Sequence, residues 1–130
     1  MIILDTDICI ELLRGNKQII KKRSETEEPI GISFITVGEL YYGAAKSVKP
    51  EYNTMLVEKF LLTALIFGSS CDSMKRFGQM KAELEKEGLR LADADLLVAS
   101  IVQSASGTLV TGNTKHFSRI KALPVVNWLR

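Results

Sequence analysis

The sequence has little of what staples small folds or binds soft metals. Cys9 and Cys71 are the two cysteines, without a Cys-x-x-Cys spacing, and His116 is the one histidine. Neither a disulfide framework nor a zinc site is supported. No apolar run approaches the roughly 18 residues that a membrane span needs, and Met1-Ile2-Ile3-Leu4-Asp5 lacks the basic region and apolar core of a signal peptide. A cytoplasmic protein without a membrane segment is expected. Neither sign of charge dominates: 17 Lys plus Arg stand against 15 Asp plus Glu, a net +2 that does not by itself announce a nucleic-acid partner. Internal repeats, linkers and low-complexity tracts are absent as well.

What is present is the balance of a globular chain, 46% hydrophobic and 25% charged, far from the signature of disorder. At 130 residues there is enough chain for one core and too little for two, so residues 1–130 are read as one domain.

Ile2 to Asp5 is a short apolar run ended by a carboxylate, and Ile8, Leu12 and Leu13 then recur at helical spacing until Gly15. This reads as strand, then helix. A second helix is expected over Lys17–Ser24, with a solvated basic face. Pro29 opens a strand over Ile30–Ile35, and Thr36-x-x-Glu39 has capping-box spacing, so the next helix is expected near Thr36. Pro50 interrupts it; Tyr52–Ala64 reads as a helix and Leu65–Phe67 as a strand. Asp72 or Ser73 is the expected cap of a helix carrying Met74, Phe77, Met80 and Leu84, with Lys81 opposite Glu85 and Gly88 as its stop. The stretch from Asp93 to Val102 is almost wholly apolar after its first turn, which suits a buried helix. A strand at Thr108–Thr111, a short helix at Thr114–Ile120 and an edge strand at Val125–Val126 complete the chain. Strands alternating with helices place the fold in the α/β class, a parallel sheet covered on both faces.

In such sheets ligands bind beyond the carboxyl ends of the strands, so the residues just after each strand matter most. Here they are acidic. Asp5 follows the first strand, Glu39 is expected in the first turn after the second, Asp93 and Asp95 open the buried helix, and Asn113 follows the fourth strand. Carboxylates brought together repel one another unless a cation intervenes. Donors that are all hard oxygens suit Mg2+ or Mn2+, and an ion of that kind suits hydrolysis of a phosphodiester. Lys46, Lys49, Arg76, Lys81, Arg90, Lys115, Arg119 and Lys121 are the candidate basic rim.

Bland readings exist for each acid. Asp5 and Asp7 are both placed to cap the first helix, Glu39 to partner Thr36, and Asp95 to sit as a first-turn acid favoured by the helix dipole. His116, alone and in a turn, is left outside the candidate site.

The stretches Ile3-Leu4-Asp5-Thr6-Asp7-Ile8-Cys9-Ile10, Glu39-Leu40-Tyr41-Tyr42-Gly43, Asp95-Leu96-Leu97-Val98-Ala99 and Leu109-Val110-Thr111-Gly112-Asn113-Thr114-Lys115-His116-Phe117 resemble, in order and spacing, the PIN-domain toxins called VapC. The likeness runs on to the tail Val126-Asn127-Trp128-Leu129. It implies a PIN-like three-layer α/β/α sandwich around a mainly parallel sheet of four or five short strands. It also implies a Mg2+-dependent endoribonuclease of structured RNA, the toxin of a type II toxin–antitoxin system. Such toxins are usually homodimers and are silenced by a cognate VapB-like antitoxin whose C-terminal segment occupies the site; initiator tRNA is the first candidate substrate. Carried over by position, Asp5, Glu39 and Asp95 match the acidic metal ligands, Asn113 the polar fourth catalytic position, and Thr6 the hydroxyl beside the first Asp. Asp7 stands where many relatives carry Asn, and Asp93 is a second acid beside Asp95, so the ligand set stays open there.

Three rivals compete. Asp5-x-Asp7 after a strand suits a haloacid-dehalogenase-like phosphatase, although Ile8-Cys9 replaces the small hydroxyl pair expected next. A receiver domain needs an Asp ending its third strand, and Leu65–Ser69 offers none. A catalytically inactive PIN fold that binds RNA or a partner would not require these acids.

Overall fold

The computed structural model describes residues 1–130. Its centre is β1 (Ile2–Leu4), flanked by β2 (Ile30–Ser33) and β4 (Thr108–Val110), with β3 (Leu65–Phe67) and β5 (Val125–Val126) at the edges. The sheet order is β3-β2-β1-β4-β5 and every pairing is parallel, Ile3 standing opposite Gly31 on one side and Leu109 on the other. The helices are α1 (Thr6–Leu13), α2 (Lys17–Glu25), α3 (Phe34–Ala45), α4 (Pro50–Leu61), α5 (Cys71–Lys86), α6 (Asp93–Ser104) and the short α7 (Thr114–Phe117).

Alternation along the central strands divides the core in two. Ile2 and Leu4 of β1 and Val110 of β4 pack with Ile8, Ile19, Leu40 and Phe60 of α1 to α4, whereas Ile3 and Leu109 point the other way, into Met80, Leu84, Leu96 and Phe117 of α5 to α7. The result is three layers, helices on both faces of the sheet. Buried on both sides, β1 is uniformly apolar. Each such fully buried aliphatic side chain stabilises the fold by about 1.5–3 kcal/mol. Gly31 of β2 is needed for packing at the edge: a Cβ there would lie 2.5 Å from Phe67 Cε2 of β3.

The elements differ from the sequence expectations mainly at their ends. Ser33 closes β2 and also caps α3, its Oγ accepting the Thr36 N–H at 3.3 Å, so α3 begins at Phe34 and the Thr36–Glu39 capping box does not form. The earlier cap buries Thr36 and leaves Glu39 free to point elsewhere. Pro50 opens α4 at its first turn, where a missing N–H costs nothing, instead of merely preceding the helix. At α5 the cap is Ser70, in a reciprocal capping box with Ser73, in place of Asp72 or Ser73. Gly88, with φ +71°, follows the last turn of α5 as expected. Lys81 lies one turn from Glu85 in α5 as expected, but its ion pair is with Asp93, Nζ to Oδ1 at 3.0 Å, because the start of α6 lies against α5. No helix is long and apolar enough to cross a membrane.

Candidate active site

Because all strands run the same way, the carboxyl ends of β1, β2 and β4 share one edge, and the segments that follow them meet there. Asp5, the residue after β1, caps α1. Its Oδ1 accepts the Thr6 N–H at 2.9 Å and its Oδ2 accepts the Thr111 hydroxyl hydrogen at 2.8 Å. The same Thr111 Oγ1 accepts the N–H of Asn113 at 3.0 Å, which places the Asn113 backbone one hydroxyl away from Asp5. Burial pushes the Asp5 carboxyl up to about 6; Thr111 and the Thr6 N–H pull against it, and the charges of Asp7 and Asp95 add to the rise.

Glu39 arrives from the middle of α3. The Thr6 hydroxyl donates to its Oε1 at 2.6 Å, and the Thr6 and Thr36 hydroxyl oxygens stand 3.0 Å apart. Asp95 lies in the first turn of α6, where burial raises its pKa, Glu39 raises it further and His116 draws it back. Asp5, Glu39 and Asp95, from three different elements, are therefore electrostatic neighbours. As they stand, no three acidic, histidine or cysteine side chains converge closely enough to share one ion directly. Asp5 and Glu39 are each held by their own donors.

The two neighbouring acids separate clearly. Asp93 is exposed and paired with Lys81, on the far side of the turn from Asp95. Asp7 is not the helix cap. Its Oδ1 accepts the Ile8 N–H and its Oδ2 the Gly112 N–H, both at 2.8 Å, so it bridges α1 to the loop after β4. Burial raises the Asp7 pKa, the Gly112 N–H being the largest counterweight. A Cβ on residue 112 would stand 2.7 Å from Asp7 Oδ2, which explains glycine at that position.

Sequence reasoning missed Thr111 and Gly112, whose signal was only that they follow a strand, as Asp5 does. It also set His116 aside. Asn113, whose side chain makes no cap bond, instead sets its Nδ2 2.9 Å from His116 Nδ1. Burial pushes the Cys9 thiol up and locks it in the core, consistent with its exclusion from the chemistry.

The basic residues are dispersed. Arg76 pairs with Asp72 at 2.9 Å and, with Arg119 and Lys121, lines a separate cavity of about 290 Å³ beside α5. Lys46 lies along a groove of about 560 Å³ between α1, α3 and α4 whose lining includes Thr6 and Glu39.

Neighbouring acidic side chains at the carboxyl edge of a parallel sheet define a class of site suited to hard cations and phosphate chemistry. The model of the PIN domain family matches residues 2–123. Ribonuclease VapC2 of Haemophilus influenzae is 35% identical over 127 residues, 97% of this chain and 96% of the relative. The tRNA(fMet)-specific endonuclease VapC of Shigella flexneri is 31% identical over 126 residues, 96% of each chain. Among solved structures, VapBC2 from Rickettsia felis, bound to a DNA fragment from its promoter, superposes with a TM-score of 0.93 at 35% identity, over 98% of this chain and 99% of that one. The chain belongs to the PIN-domain family and, within it, to the VapC ribonucleases. Nucleases of this family depend on a divalent metal. The phosphatase and receiver readings have no counterpart among these relatives.

Proposed function

We propose that this chain is the toxin of a type II toxin–antitoxin pair, a cytoplasmic, single-domain, Mg2+-dependent endoribonuclease, with Mn2+ as the substitute ion. The observation that carries the reading is the mutual placement of Asp5, Glu39 and Asp95 at the carboxyl edge of the sheet, where burial and repulsion raise the pKa values of Asp5 and Asp95. An all-oxygen donor set of this kind fits a hard cation. Mg2+ keeps several of its waters and takes only one or two carboxylates directly, so it does not require a closed cage.

In this reading Asp5, Glu39 and Asp95 hold the ion and Asn113 completes the catalytic set. When bound, the ion neutralises charge on the phosphodiester as the bond breaks. The chain's own work is positional. Thr111 and the Thr6 N–H fix the Asp5 carboxylate, and the Thr6 hydroxyl takes one oxygen of Glu39, leaving the other for the ion. Asp7 anchors the loop that carries Asn113.

The groove beside Glu39, with apolar Ile10, Leu13, Leu40 and Val57 and the cations Arg14 and Lys46, suits an amphipathic segment of a VapB-like antitoxin ending at the site. The solved relatives from Rickettsia felis and Salmonella typhimurium are VapBC complexes bound to DNA, which supports a VapB-like partner. A homodimer is the expected assembly, and the edge strand β3, with Leu65 and Ile66 about half exposed, offers apolar surface to a second copy. RNA is the substrate, and tRNA is the first to test, since the Shigella flexneri relative is named for tRNA(fMet).

The test is cleavage of total RNA and of purified tRNA with Mg2+ present, with the new ends mapped. Asp5→Asn, Glu39→Gln and Asp95→Asn are each expected to remove most activity while leaving the fold intact. Wild-type rates in all three would reject the site and the reading together.

A further inference from the structure

The cleft that must admit a polyanion is lined by carboxylates, so hydrogen-bond donors at its rim have a task that the metal alone does not fill. The donors contributed by side chains near the carboxyl edge differ in how firmly they are held. Lys115 is exposed, and Arg119, which reaches only the Arg90 carbonyl at 3.5 Å, lines the separate cavity beside α5. His116 is different. It lies within electrostatic reach of Asp95, and its Nδ1 is 2.9 Å from the Nδ2 of Asn113.

That contact has a definite chemical consequence. An amide nitrogen carries hydrogens and only donates, so the imidazole nitrogen facing it accepts. The ring hydrogen of the neutral imidazole then sits on Nε2. Nε2 makes no hydrogen bond within the chain, and the ring is exposed. The result is a single outward N–H, its ring held by a residue that is itself tied through Thr111 to Asp5.

We propose that His116 is a substrate-contact residue: Asn113 fixes its tautomer so that the Nε2–H is offered to a non-bridging oxygen of the phosphodiester entering the acidic cleft. The assignment rests on the nuclease reading above. It adds a residue on α7 to the machinery and gives Asn113 a second role, positioning the imidazole. The contact forms with substrate in the ground state, so its loss weakens binding more than turnover.

Two measurements test it. In the first, steady-state cleavage of a stem-loop RNA is followed with Mg2+. His116→Ala is expected to lower kcat/KM about tenfold, as loss of a hydrogen bond to a charged oxygen does, mostly through KM. His116→Gln, which restores an N–H at similar reach, should recover much of the loss. Unchanged KM in His116→Ala, or equal defects in the two variants, would overturn the proposal. The second measurement needs no catalysis. Long-range proton–nitrogen NMR of the wild-type protein should show the hydrogen on Nε2, and the His116 signals should shift when the RNA is added with Ca2+ in place of Mg2+. A hydrogen on Nδ1, or signals indifferent to RNA, would refute it. Failure of the wild-type protein to cut any RNA with Mg2+ would instead sink the nuclease reading, a result these spectra distinguish.

Discussion

Thr111 donates its hydroxyl hydrogen to Asp5 across 2.8 Å, joining residues 106 apart in the chain. The bond links the ends of two adjacent strands, β1 and β4, and reaches Asn113 through the same oxygen.

Replacing Thr111 by Val keeps the shape and removes the donor. The Asp5 carboxylate loses its strongest counterweight to burial, so its pKa should climb further. We expect a loss of about 1–3 kcal/mol at pH 8, measured by urea unfolding in chelator, because a buried charge is left short of a partner. At pH 5, where Asp5 is largely protonated, the loss should shrink. Equal losses at both pH values would count against the bond.

The pH dependence of the metal-free protein should be unusual for a carboxylate. The Asp5 pKa is raised from 3.8 to about 6 in the fold, so the folded state binds its proton more tightly than the unfolded state. The stability from this group is complete below about 3.8 and is lost as pH rises towards 6, up to about 3 kcal/mol in all. Asp7 and Asp95 shift in the same direction. Asp72, held low by Ser104 and Arg76, acts in the opposite sense, and only at still lower pH. Urea unfolding in chelator should therefore show stability rising from pH 7 to about pH 4.5, with most of the rise absent in Asp5→Asn. A steady fall over that range in the wild-type protein would contradict it.

Asp93 and Asp95, two residues apart, should respond in opposite ways. Asp93→Asn breaks only an exposed ion pair with Lys81, worth about 0–1 kcal/mol, and cleavage should stay within threefold of wild type. Asp95→Asn should lose at least a hundredfold in rate. Parallel kinetics on the two purified variants decide this, and comparable losses would put Asp93 inside the site.

Gly112→Ala places a methyl group 2.7 Å from both Asp7 Oδ2 and Leu129 Cδ1. The Asp7 carboxylate must swing away from the N–H it accepts, and the loop carrying Asn113 must shift. Destabilisation of about 1–3 kcal/mol is expected, together with a tenfold or larger fall in cleavage rate. Full activity with only a stability loss would show that the loop position does not matter to catalysis.

Much of this architecture is legible in the chain. The strand at Ile2–Leu4 shows as an apolar run, and the buried helix from Asp93 shows as a long apolar stretch too long for a strand. Asp5, Asp95 and Asn113 stand out because each follows a strand or opens a helix, whereas Glu39, read in a first turn, lies in the middle of α3. Helix starts were harder to read. Ser33, Ser70 and the rival caps nearby are chemically interchangeable, and only packing decides which hydroxyl meets the free N–H groups. Thr36 illustrates the cost: read as a cap, it turned out to be a buried hydroxyl against Thr6.

The order of residues alone settled the class of fold, the acidity of the strand ends and the all-oxygen chemistry of the candidate donors, because periodicity and residue type are local properties. Tertiary structure decided which acids are neighbours. Asp93 turned out to Lys81, Asp7 bound the Gly112 amide, and His116 met Asn113. Those choices depend on how α6 lies against α5 and on how the loop after β4 closes over α1, and contacts between segments far apart in sequence leave no periodic trace.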